Sequence, residues 1–216
     1  MLYIDSADRE RLAPLLRTGL FAGVTTNPLI LSRAGLTSAD LPELHAWLVS
    51  QGCTRFYAQA TGATLSHVRE NAAAVAALGA DIVIKLMANR EGFTVARELA
   101  AEGREVLITG VYHPSQMLLS HAAGAHEIAP YVGRASEHGR DGLDLVAQMA
   151  RMSAHSDVRI LAASIRSVDQ IAQLAAVGAD DLTISTDLAE QLFDDALTGA
   201  AAADFETIAN AMTVSA

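Results

Sequence analysis

One lysine interrupts an apolar run in "DIVIKLMANREGF", residues 81–93. Lysine is rarely buried without a partner, so Lys85 stands out chemically. In a low-dielectric pocket the ammonium form is disfavoured and the pKa falls. A neutral amine can attack a carbonyl carbon and form an imine, whose protonated form draws electrons from a neighbouring carbon–carbon bond. The alternative is a rim lysine, its stem on apolar neighbours and its head in water. Other groups suited to such chemistry are a carboxylate, Asp5, a phenol, Tyr131, an amide, Gln59, and a hydroxyl, Thr109. Thr25, Thr26, Asn27 and Ser164 add hydrogen-bonding groups, and Arg134 and Arg166 add cations.

These residues are scattered along 216 positions, so the elements that carry them decide whether they meet. A unit recurs in "ALGADIVIK", "AAGAHEIAPYV" and "AVGADDLTIS": helix-like residues, Gly-Ala, a polar residue, a short apolar run. Gly79, Gly124 and Gly178 suit the left-handed residue that ends a helix. The apolar runs are too short for buried helices and suit buried parallel strands. Extending the pattern gives strands at 2–5, 21–25, 54–60, 81–86, 105–109, 126–131, 158–163 and 181–185. Helical segments such as "TLSHVRENAAAVAAL" and "SVDQIAQLAAV" lie between them. Eight alternations predict an α/β fold, a single (β/α)8 TIM barrel spanning residues 1–216. Residues 202–216 are left as a C-terminal helical extension. Within 202–213, Phe205, Ile208 and Met212 recur at helical spacing, which suits cover for a barrel end or a neighbouring subunit.

In such barrels the site lies at the C-terminal ends of the strands. Asp5 ends the first expected strand, Thr25 to Asn27 the second and Gln59 the third. Lys85 lies near the end of the fourth and Thr109 ends the fifth. Tyr131 and Arg134 follow the sixth, and Ser164 and Arg166 the seventh.

The strand-end segments "AGVTTNPLI", "FYAQA", "DIVIKL", "LITGVY", "IAPYVGR" and "LAASIRS", in that order, resemble the transaldolase family, and within it the short-chain branch of fructose-6-phosphate aldolase. The resemblance runs from the first strand to the eighth. It implies Lys85 as the Schiff-base nucleophile, so that the only covalent group is an imine and no cofactor is needed. It implies that Asp5 and Asn27 contact the ketose, with Asp5 handling a hydroxyl proton, and that Thr109 and Gln59 hold a water. Arg134 and Ser164, with Arg166, would take a distal phosphate. Arg166 suits a surface ion pair equally well, and a sulfonate or carboxylate tail would suit the same groups. Transaldolases proper carry glutamate at the place of Gln59 and phenylalanine at that of Tyr131, so this pair resembles the aldolase branch. Tyr131 could protonate the enamine left after cleavage, releasing dihydroxyacetone or hydroxyacetone rather than passing the fragment on. Met87 and Asn89 depart from the family, which usually has proline and threonine there. Asn89 can still cap the following helix. The branch typically forms pentamers, sometimes paired into decamers.

Composition narrows the classes further. A formal net charge of −10 argues against nucleic acid and anionic membranes as partners. No apolar stretch reaches the ~18 residues of a membrane helix. "MLYIDSADRER" lacks the pattern of a secretory signal, and with one cysteine, Cys53, a cytoplasmic setting is expected. His45, His67, His113, His121, His126, His138 and His155 show no metal-ligand spacing, which disfavours a metal-dependent aldolase. Asp141 and Asp144 in "GRDGLD" read as helix caps. The function expected is a Schiff-base aldolase acting at the C3–C4 bond of a ketose such as fructose 6-phosphate. Transfer of a dihydroxyacetone unit between sugar phosphates is the alternative, and a non-catalytic binding barrel the third.

Overall fold

The computed structural model describes residues 1–153 and 156–213. His155 and the last three residues of the C-terminal extension lie outside the described residues. Eight parallel strands close into a barrel in chain order: β1 (Leu2–Asp5), β2 (Gly23–Thr25), β3 (Phe56–Gln59), β4 (Ile82–Met87), β5 (Val106–Val111), β6 (Glu127–Pro130), β7 (Arg159–Ala162) and β8 (Asp181–Ile184). The helices are α1 (Arg9–Arg17), α2 (Pro28–Arg33), α3 (Leu41–Ser50), α4 (Leu65–Ala76), α5 (Arg90–Ala101), α6 (Gln116–Ala123), α7 (Val132–Glu137), α8 (Gly142–Ser153), α9 (Val168–Ala176), α10 (Thr186–Gln191) and α11 (Ala196–Thr213). All eight expected strands are present, with ends that move by one or two residues.

Strand alternation builds two cores. Even-numbered strand residues such as Ile4, Val24, Ile82, Ile84, Ile108 and Ile160 face the helices. Odd-numbered residues Tyr3, Tyr57, Val83, Leu107, Ala129 and Leu161 fill the barrel interior. Because side chains alternate along a strand, the next odd residue on each strand lies one layer higher, toward the C-terminal end. That places Asp5, Lys85 and Thr109 inside. On β5 the register shifts between Thr109 and Val111, and Val111 joins the outer core. The barrel thus keeps an apolar middle layer under a polar upper one.

The lower layer is also polar, which the sequence pattern did not bring out. Tyr57 Oη donates to Glu127 Oε1 at 3.1 Å, and Arg55 Nε donates to Tyr57 Oη at 2.8 Å. Arg159 donates twice to Asp181 Oδ2, at 3.1 and 2.7 Å. This end of a barrel serves stability rather than chemistry.

Local capping follows the sequence in most places. Asp141 accepts from the amides of Leu143 and Asp144, and Asn89 accepts from Gly92 at the start of α5. Cys53 is buried, and burial pushes its thiol pKa up. Gly124 and Gly178 are left-handed, as expected, but Gly79 is not. Gly79 is instead a close-approach position: a Cβ there would collide with the Asp81 carboxylate, which is held by His45 at 2.8 Å. The C-terminal helix is longer than the pattern suggested, starting at Ala196. Phe205, Ile208 and Met212 on it are 70%, 57% and 72% exposed.

Candidate active site

A cavity of about 120 Å³ opens at the C-terminal end of the strands. Its walls include Asp5, Asn27, Lys85, Tyr131, Arg134, Ser164 and Arg166, seven of the eleven residues expected to form a site. Apolar Ala129, Leu161 and Ala163 complete the lower wall.

Lys85 is 4% exposed. Burial pushes its ammonium pKa down, and the nearby Asp5 carboxylate opposes that shift. Asp5 shows the reverse: burial raises its pKa first, while Lys85 and then the Thr25 hydrogen bond hold it down. The pair is a buried amine beside a half-buried carboxyl whose charges respond to each other, which suits proton-transfer chemistry.

Tyr131 follows β6 and closes the opposite wall. Its Oη accepts a hydrogen bond from Thr109 Oγ1 at 3.0 Å. Burial raises its pKa, and the Thr109 bond opposes this, so the phenol is protonated at neutral pH. Tyr112 packs edge-on against the ring at 5.8 Å, and the Arg134 guanidinium lies 5.1 Å from its centroid.

The wall that holds Arg134, Ser164 and Arg166 is built where α7 meets the end of β7. Gly133 N donates to Ser164 O at 2.8 Å, and a Cβ at Gly133 would collide with that carbonyl. Glycine therefore lets α7 approach β7 closely. Arg134 N donates to Ser164 Oγ at 3.3 Å. Ser164 has φ 61°, the one left-handed non-glycine among the described residues. Such strain concentrates where geometry serves a ligand. Arg166 is engaged: its Nε and Nη2 donate to Glu137 Oε1 at 3.0 and 2.9 Å. The surface ion pair left open for Arg166 is thus present, and the side chain also borders the cavity.

Four expected residues stand differently. Thr25 Oγ1 donates to Asp5 Oδ1 at 2.6 Å and so acts on Asp5. Thr26 Oγ1 donates to the Tyr57 carbonyl at 3.0 Å, tying β2 to β3. Thr109 meets Tyr131 rather than Gln59. Gln59 is in register with Lys85 on the neighbouring strand, but it lines a second cavity with Thr61 and Asn71, beside α3 and α4. Asn27 caps α2 through Oδ1, which accepts from Ile30 N at 3.0 Å, and the residue also lines the cavity. Two cavity residues escaped the sequence reading. Arg33 comes from the last turn of α2, and Thr183 from the interior face of β8. Thr183 was detectable, since it occupies an inward position on the eighth strand.

The Transaldolase/Fructose-6-phosphate aldolase family model matches residues 2–215. This chain belongs to that family of enzymes. It is 32% identical over 199 residues to a "Probable transaldolase" of Phenylobacterium zucineum, covering 91% of this chain and 90% of that protein. A "Probable transaldolase" of Caulobacter sp. (strain K31) is 31% identical over 199 residues, with the same coverage. One from Brucella ovis is 31% identical over 183 residues, covering 84% of this chain and 83% of that protein. Among solved structures, a mandelate oxidase variant superposes with a TM-score of 0.60 at 14% identity, over 87% of this chain and 66% of that one. That likeness concerns the barrel alone.

Proposed function

We propose that this family member is a Schiff-base aldolase that cleaves or forms the C3–C4 bond of a ketose phosphate such as fructose 6-phosphate. The observation that carries the reading is the meeting of buried Lys85, Asp5 and protonated Tyr131 around one cavity. Neutral Lys85 attacks C2 of the ketose, and loss of water gives the iminium. Asp5 takes the proton from the C4 hydroxyl. The C3–C4 electron pair moves into the iminium, the aldose phosphate leaves, and an enamine remains on Lys85. Tyr131 supplies a proton to C3, directly or through a water, and hydrolysis releases dihydroxyacetone. Arg134 and the Ser164 hydroxyl hold the distal phosphate, with Arg33 and Arg166 at the cavity edge adding positive potential. Asn27 orients the ketose hydroxyls through its amide.

Borohydride reduction in the presence of fructose 6-phosphate or dihydroxyacetone tests this reading. The expected result is a stable adduct that peptide mapping places on Lys85, and none in Lys85→Met. Label on another residue, or none with several donors, overturns it. A chelator should leave the activity intact.

The name carried by the bacterial relatives favours a second reading, transfer of the dihydroxyacetone unit to an acceptor aldose phosphate. Product analysis with and without erythrose 4-phosphate separates the two. The exposed apolar stripe of α11 supports assembly into a homo-oligomer, in which Phe205, Ile208 and Met212 pack on a neighbouring copy.

A further inference from the structure

We propose that Thr183 is a positioning residue for Asp5, acting through Thr25. Its hydroxyl fixes the direction of a two-proton chain that ends on the Asp5 carboxylate. The inference rests on the reading of Asp5 as the proton-handling group.

The argument is a count of protons. Thr25 Oγ1 lies 2.6 Å from Asp5 Oδ1 and 2.6 Å from Thr183 Oγ1. A hydroxyl has one proton to give and lone pairs to receive. An ionised carboxylate can only accept, so the Thr25 proton goes to Asp5. The contact between the two threonines then has one solution: Thr183 donates to Thr25. Thr183 is 2% exposed, and Thr25 is its hydroxyl's one hydrogen-bond partner among the described residues.

The strand register explains how three separate segments assemble it. β1 lies between β2 and β8. Asp5 is opposite Thr25, while Thr183 is opposite Tyr3, one inward position lower. Thr183 therefore reaches Thr25 from beneath Asp5, on the floor of the cavity. Two hydroxyl dipoles in series stabilise the charged carboxyl. When Asp5 takes a proton the chain can invert, with Asp5 donating to Thr25 and Thr25 to Thr183. Thr183 thus couples to the charge of Asp5 without touching it.

Other groups that face Asp5 are Lys85 from β4, Arg33 from α2, Arg134 from α7 and Tyr131 after β6. Asp8 and Arg11, at the start of α1, share a neighbouring cavity with it. None of these changes in a Thr183 variant.

The test is the titration of the Asp5 carboxyl carbon by 13C NMR in the free full-length protein. Thr183→Val keeps the shape and removes the hydroxyl. It should raise the Asp5 midpoint by about half a unit or more, since a donor to the charged form is weakened. Thr183→Ser should stay near wild type, and Thr183→Ala should move as Val does. The Ser and Ala pair decides the matter alone if the Val variant does not fold, because both lose the γ-methyl and only Ala also loses the hydroxyl. A midpoint unchanged in Val and Ala, or moved as far in Ser as in Ala, overturns the inference. The acid limb of kcat/KM should rise with the midpoint. If the midpoint moves and the acid limb does not, the positioning stands and the assignment of Asp5 in the reaction fails.

Discussion

Thr109 Oγ1 donates to Tyr131 Oη at 3.0 Å, from the fifth strand to the loop after the sixth. With one acceptor site occupied, the phenol's own proton is left to point into the cavity that Lys85 shares. Tyr131→Phe removes that proton and keeps the ring that Tyr112 and Arg134 pack against. Release of free dihydroxyacetone should fall by roughly 10²–10⁴-fold, the usual cost of losing one general acid. Transfer to added erythrose 4-phosphate should fall less, and imine trapping on Lys85 should persist. Equal loss of release and transfer would remove Tyr131 from the protonation step.

Lys85 should weigh against stability. Its pKa is lowered on folding, so between the depressed folded value and the ordinary lysine value the unfolded chain binds more protons than the folded one. Stability therefore rises with pH from the depressed folded value up to the ordinary lysine value near 10.5. Lys85→Met should abolish turnover and raise the thermal midpoint at pH 7. The wild-type stability should climb as pH rises toward 10.5, with a slope that the variant lacks.

Ser164 carries backbone strain together with a hydroxyl that meets Arg134 N. Ser164→Gly relieves the left-handed strain, worth ~1 kcal/mol. Ser164→Ala keeps the strain. Both should raise KM for a phosphorylated aldehyde and leave that for glyceraldehyde nearly unchanged. Only the glycine variant should gain in denaturant midpoint. Equal KM changes for the two aldehydes would place the serine outside anion recognition.

Glu127 makes the barrel floor sensitive to pH. Burial pushes its carboxyl from 4.5 up to about 7, against the pull of Arg55 and the Tyr57 bond. The folded state thus holds a proton that the unfolded chain has lost between those values. Its contribution is complete below about pH 4.5 and is lost as pH rises through about 7, on the order of 3 kcal/mol across the window. Urea midpoints from pH 5 to 8 should show this decline. Glu127→Gln, which stays neutral, should flatten it.

The apolar stripe on α11 predicts concentration-dependent assembly. Light scattering should give a species several times the 22.7 kDa chain mass. Deleting residues 202–216 should shift it toward monomer while imine formation on Lys85 survives. An unchanged oligomer after the deletion would assign the interface elsewhere.

The sequence by itself determined the eight βα units and the strand-end positions of most site residues. The reason is that each signal is local: apolar runs with period-two burial, helix caps such as Asn89, and a lysine set in a run that must be buried. Parity along a strand then tells which side chains share the interior, which is why Lys85 and Asp5 were legible together. Only the tertiary structure decided which neighbours those side chains meet. Gln59 ends its strand in register with Lys85 yet lines another cavity, beside α3 and α4. Thr26 was spent on a carbonyl, and Arg166 on Glu137. Arg33 entered the cavity from a helix whose local sequence marks nothing unusual, while Thr183 was legible only as an inward position on the eighth strand. Hydrogen-bond partners across a closed barrel depend on register between distant strands, and no short stretch of chain encodes that relation.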